Sequence, residues 1–136
     1  MDGNSSILSP FLCHFGHTSS AMFAFNFGVH WTIGHYHIAR YGCGSIVGVM
    51  GISGAIASLL GIYHMRKNTD QVIAGGMASS AGLITYNVMR NPNWFNFLRL
   101  PPVFWVAALA LYGGYYNDKA AVGGVAGGYL AFLLAL

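Results

Sequence analysis

Apolar and polar positions fall into long blocks rather than alternating: five apolar runs stand between short polar stretches. The first runs from Ser19 to Ile38 and closes at Arg40. The second, Cys43 to Tyr63, closes at His64, Arg66, Lys67 and Asp70, and the third, Gln71 to Met89, closes at Arg90. The fourth begins at the Pro101-Pro102 pair and reaches Tyr116, and the fifth fills Ala120 to Leu136 after Asn117, Asp118 and Lys119. Unbroken apolar runs of this length predict helices, and the second and third approach the ~20 residues that cross hydrocarbon as helix. The fourth has 16 residues and the fifth 17, roughly 24 Å or a little more at 1.5 Å per residue, which spans a thin bilayer or a site among neighbouring helices. The first is long enough but carries three histidines. The pattern predicts an all-α, polytopic membrane helical bundle of about four transmembrane helices, within a range of three to five, forming one integral membrane domain over residues 1–136.

Composition strengthens that picture. Of 136 residues 55% are apolar and 7% charged, where a soluble domain has about a quarter charged. Mean hydropathy is +0.54. No Asp, Glu, Lys or Arg occurs from Gly3 to Ala39 or from Tyr41 to Met65, and Glu is absent altogether. The net charge of +3 forms no basic patch interleaved with exposed aromatics, so nucleic acid is not an expected partner. Cys13 and Cys43 each lie in apolar surroundings and suggest reduced thiols, with a single bridge as the alternative. The N-terminal MDGNSSILSP lacks the basic start and cleavage site of a removable leader. Were all five runs to span, Arg66, Lys67 and Lys119 would share one side and Arg40, Arg90 and Arg99 the other, a tie under the positive-inside rule.

The glycines carry the most pattern. Gly44, Gly48, Gly51, Ala55 and Ser58 step by four and three along the second run; Gly75, Ser79 and Gly82 repeat the device in the third. The fifth holds overlapping GxxxG pairs, Gly123 with Gly127 and Gly124 with Gly128, continued by Ala131 and Ala135. Small stripes let helix backbones approach closely where lipid supplies no hydrophobic drive. They are expected to serve internal packing or a partner subunit. Between the third and fourth runs, RNPNWFNFLRLPP sets Trp94 and its neighbouring aromatics between Arg90 and Arg99, a composition suited to the headgroup level. Arg90, Arg99 and Trp94 are therefore candidates to contact a phospholipid headgroup, cardiolipin included.

A weak internal repeat pairs Leu60–Tyr63, Lys67 and Val72–Ala78 with Tyr112–Tyr115, Lys119 and Ala120–Ala126. Each half reads helix, polar turn, glycine-striped helix. The loop and helix Arg66-Lys67-Asn68-Thr69-Asp70, then Ala74-Gly75-Gly76 and Gly82, resembles the signature of the four-helix translocase family of the mitochondrial inner membrane, which includes an accessory subunit of respiratory complex I. The resemblance implies a four-helix fold and packing faces for larger subunits. The stretch from Tyr112 to Gly128 is similar to small four-helix organellar exporters of porphyrins or fatty acids, which implies a carrier instead.

Candidate chemistry is sparse. Five of six histidines precede Arg40. His30 and His37, seven apart, share a helical face and are candidate ligands for haem b, with the second axial ligand coming from His64, His14, His17 or another chain. The alternative is that neutral imidazoles bond between helices. Apart from Cys13-His14-x-x-His17, no ligand spacing for a metal appears. Asp2 is near the terminus, and Asp70 and Asp118 sit beside basic residues in turns, so no acid pair supports proton chemistry. The expectation is a non-catalytic accessory subunit of a mitochondrial inner-membrane energy-transducing complex, without cofactor, whose partners are other membrane subunits and phospholipid.

Overall fold

A computed structural model describes residues 20–65, 76–93, 101–115 and 119–136. These residues are helical, with no strand among them. Helix α1 (Ser20–Val29) passes through a π-helical turn (His30–Gly34) into α2 (His35–Met65); α3 is Gly76–Arg90, α4 Pro102–Tyr115 and α5 Lys119–Leu133. One helical stretch, Ser20–Tyr63 of 44 residues, is long and apolar enough to cross a membrane, and Lys119–Leu133 is a shorter apolar helix.

That long stretch is not straight. Gly42 adopts φ 86° and ψ 167°, a conformation essentially closed to residues with a Cβ. A Cβ on Gly34 would lie 3.5 Å from Ile46 Cδ1, and the His37 and Ser45 side chains meet. On a straight helix residues 34 and 46 would be about 18 Å apart along the axis. The chain therefore doubles back at Gly42 into a hairpin with arms at residues 20–41 and 43–65, the division expected between the first and second apolar runs. The remaining ends follow local signals. Helix α3 stops at Arg90 before Asn91-Pro92, since a proline disfavours helix in the residue before it. Helix α4 opens at Pro101-Pro102, with Phe104 N–H donating to the Pro101 carbonyl at 2.9 Å. At the end of α5, Ala135 takes φ 55° in a Schellman cap: Leu136 N–H donates to the Ala131 carbonyl and Ala135 N–H to that of Phe132, at 3.3 and 3.1 Å.

Contacts fix the helix directions. The seam pairs Ser80 with His30, Asn87 with His37 and Asn91 with Tyr41. Each pair is separated by 50 residues, so α3 runs parallel to the first arm. Helix α5 wedges between α3 and the second arm. Its Gly123 and Gly127 lie against Ala57 and Ser53, antiparallel, while Gly124 and Gly128 lie against the backbone of Ala78 and Gly82, parallel. The two overlapping GxxxG pairs thus serve different neighbours. Helices α3 and α5, matched by the sequence repeat, pack side by side, and α4 packs on both.

The expected stripe on the second run faces outward at Gly44, Gly51 and Ala55 and is buried at Ser58. Among the described residues no other element comes within 4 Å of a Cβ placed on Gly44 or Gly51, and one placed on Gly48 meets Leu136 Cδ1 at 3.4 Å. The buried stripe is Ser53, Ala57 and Gly61, with Gly54 and Ser58 beside it. Both stripes are small residues at helical spacing; the choice between them is made by α5, whose glycines admit the backbone of Ser53 and Ala57. A Cβ on Gly82 or Gly127 would overlap Ser53 and one on Gly123 would overlap Ala57, whereas Gly75 lies outside the described residues. So do Trp94 and Arg99.

Candidate functional site

The interior of this bundle is polar for its size. Its largest fully buried side chains include Tyr86, His37, Asn87, Thr85, Ser53 and Ser80 alongside Leu83, Val49 and Val88. Most of the polar ones line the seam between the first arm and α3, where buried positions recur as Asn26, Val29, Ile33, Gly34 and His37, the spacing of a single helical face.

At the end nearest Gly42 the seam is closely bonded. Asn87 Nδ2 donates to the Leu83 carbonyl at 2.8 Å and to His37 Nδ1 at 3.0 Å. Because Nδ1 accepts, the imidazole proton sits on Nε2, which donates to Ser45 Oγ at 2.9 Å. His37 therefore ties three elements together: its own arm, the returning arm and α3. Its ring lies 5.1 Å from both Tyr41 and Tyr86, and those two tyrosines meet edge to face at 5.8 Å. Tyr41 Oη accepts from Asn91 Nδ2, and Tyr86 Oη donates to the Leu136 carbonyl. The Arg90 guanidinium stands over Tyr41 at 5.9 Å from the ring centre, within cation–π range, and is itself exposed.

Replacing Asn87 by leucine leaves His37 Nδ1 buried without a donor, a cost of about 1–3 kcal/mol. Replacing His37 and Asn87 together by leucine removes both sides of that bond. Unfolding in SDS followed by circular dichroism should show the double variant about 1 kcal/mol more stable than the sum of the singles predicts; strict additivity would show that the bond contributes nothing.

One helical turn past mid-seam the polar groups are held differently. His30 Nδ1–H donates to the Asn26 carbonyl at 2.7 Å, with Ser80 Oγ at 3.4 Å. A carbonyl can only accept, so the proton is on Nδ1 and Nε2 carries a lone pair. His30 Nε2 and both carboxamide atoms of Asn26 are buried with no hydrogen-bond partner among the described residues. The π-helical turn begins at His30 and re-aims the side chains that follow; such turns concentrate at functional sites.

The two candidate haem ligands are thus unlike. His37 uses both ring nitrogens within the seam, and His30 keeps one free. They lie about 10 Å apart along one arm, so they cannot bracket one iron. Among the described residues no group of three or more His, Cys, Asp or Glu is placed to hold a metal ion. Sequence reasoning singled out both histidines and missed Asn26, Asn87, Ser45, Ser80 and Tyr86 as their surroundings. The polar spacing Asn26, His30, His37 was a readable signal; the register against α3 was not. No protein-family model, curated protein or solved structure matches this chain.

Proposed function

We propose that this chain is a polytopic integral membrane subunit with no catalytic role of its own, a helical bundle that packs against larger subunits of an energy-transducing complex. The observation that carries the reading is the inverted distribution of side chains. Glycine, alanine, serine and asparagine fill the interior, while Phe23, Phe25, Phe27, Trp31, Val47, Leu59, Leu111 and Leu133 are exposed. A water-soluble bundle buries its large apolar side chains and rarely exposes wide apolar patches; a bundle in lipid gains nothing from that and packs through small residues instead. The hinge at Gly42 makes the 44-residue stretch two arms, each long enough for hydrocarbon. Glycine-to-backbone contact of α5 with both neighbours fills the bundle centre, which favours a packing role over the alternative of a rocking carrier of porphyrin or fatty acid. Placement in the mitochondrial inner membrane, and a phospholipid such as cardiolipin at Arg90, Arg99 and Trp94, rest on the sequence resemblance and composition.

The outward stripe of Gly44, Gly51 and Ala55 supplies the test. Gly51→Leu adds bulk where the chain itself has open space. In mildly solubilised membranes the native protein should comigrate with a large assembly on native gels, and Gly51→Leu should be released from it with its own thermal stability unchanged. Migration of the native chain as a monomer or small oligomer would sink the subunit reading in favour of the carrier.

A further inference from the structure

Two arginines stand at the same level at one end of the bundle. The contacts joining His30 to Ser80, His37 to Asn87 and Tyr41 to Asn91 keep one offset of 50 residues, and that offset sets Arg40 against Arg90. Each lies three residues past a member of the His37–Asn87 pair, whose side chains meet at 3.0 Å, and residues three apart are neighbours on a helix surface. The Arg90 guanidinium stands over the Tyr41 ring at 5.9 Å from its centre, which draws it toward the residue next to Arg40. Both arginines are exposed. The acidic side chains of the chain are Asp2, Asp70 and Asp118, and none of these is among the described residues to balance the pair. We propose that Arg40 and Arg90 together hold the phosphate of an anionic phospholipid at the Gly42 end of the bundle.

The chemistry of the pair selects phosphate. Each guanidinium is a planar fork of donors that matches two phosphate oxygens at once. Like charges side by side on neighbouring helices repel, and an anion held between them is attracted by both. The surroundings select a lipid over a free phosphate. Ile38 on the first arm and Val47 on the second, four residues before and five after Gly42, are both exposed. They leave apolar surface for acyl chains alongside a head group held at the arginines. Such a site rests on the membrane reading of the chain and needs no partner subunit. It shares Arg90 with the head-group site suggested by composition and adds Arg40, which the register of the arm against α3 brings to it.

The test places the full chain in nanodiscs of phosphatidylcholine and phosphatidylglycerol in equal parts and measures by native mass spectrometry which lipid the released chain retains. The native chain should retain phosphatidylglycerol in preference to phosphatidylcholine, and excess inorganic phosphate should not displace it. Arg40→Gln and Arg90→Gln, with native helical circular dichroism, should each lower that preference about tenfold, the size of one charge-assisted hydrogen bond. The double variant should fall little further, because one phosphate bridges both side chains. Arg40→Lys should lose most of the preference, since an ammonium keeps the charge without the fork. Lys119→Gln, at the opposite end of the bundle, should leave it unchanged. Equal losses in Arg40→Gln and Lys119→Gln would show diffuse attraction, and loss in Arg99→Gln without loss in Arg40→Gln would place the head group elsewhere; either overturns the proposal. Displacement of the lipid by inorganic phosphate would overturn it in favour of a free-phosphate site. A chain that does not enter nanodiscs would overturn the membrane reading and the lipid site together.

Discussion

A single methyl group on Gly127 is expected to take the bundle apart. A Cβ there would overlap the Ser53 backbone, with Ser53 N at 2.9 Å and Cα closer still. No rotamer change relieves a clash with backbone, so α5 or the second arm must move bodily. The cost should lie at or above the upper end of the 1–3 kcal/mol usual for overpacking. Gly124→Ala and Gly128→Ala press on α3 instead, where the carbonyl oxygens of Ala78 and Gly82 occupy the place a Cβ would take, the geometry of Cα–H···O contact between helices. The contrast lies on the second arm. Gly44→Ala and Gly51→Ala meet open space among the described residues and should be neutral or stabilise the isolated chain by up to about 1 kcal/mol through helix propensity. Thermal unfolding in detergent separates the two classes. A Gly127→Ala variant as stable as Gly51→Ala would mean that α5 is not wedged where the contacts place it.

Much of this arrangement was legible in the sequence, and the illegible part has a physical reason. Ends of the apolar runs fall within a few residues of the helix ends because proline, glycine and charge act locally: Arg40-Tyr41-Gly42, Arg90 to Pro92 and Pro101-Pro102 each mark a boundary. The double GxxxG of α5 was readable for the same reason, its periodicity lying within one helix. Which of two small stripes the second arm buries depends on the helix that arrives against it, and nothing between Gly44 and Gly61 records that choice. Likewise, Asn87 is unremarkable until α3 is set parallel to the first arm. The imidazole of His37 then finds its donor on one neighbour and its acceptor on another. The sequence identified costly groups; their partners emerged only from register.

Gly42→Val should open the hairpin. At φ 86°, ψ 167° a β-branched side chain is excluded, and holding it there would cost about 1–3 kcal/mol or more. Against that stands the seam's end cluster, the Asn87–His37–Ser45 chain and its tyrosines. Hydrogen bonds between membrane helices average about 0.6 kcal/mol, and aromatic pairs add about 0.5–1.5 kcal/mol each, so the terms are comparable and the equilibrium is poised to shift. Valine's relaxed alternative is continuous helix from Ser20 to Tyr63, 44 residues or about 66 Å, roughly twice the ~30 Å of hydrocarbon. On the proposed membrane reading, a chain so straightened no longer crosses the bilayer as two arms. Spin labels at the exposed positions Phe27 and Ala55, with Cys13 and Cys43 replaced by serine, distinguish the states by electron–electron dipolar spectroscopy. In the hairpin both arms lie against α3, whose neighbours stand about 8–10 Å from its axis, so the arms are at most about 20 Å apart, whereas 28 residues of straight helix separate the labels by about 42 Å. The native chain should give the short distance and Gly42→Val a substantial long component. A purely short distribution in Gly42→Val would show that the seam alone dictates the fold of the arms and that the glycine merely accommodates it.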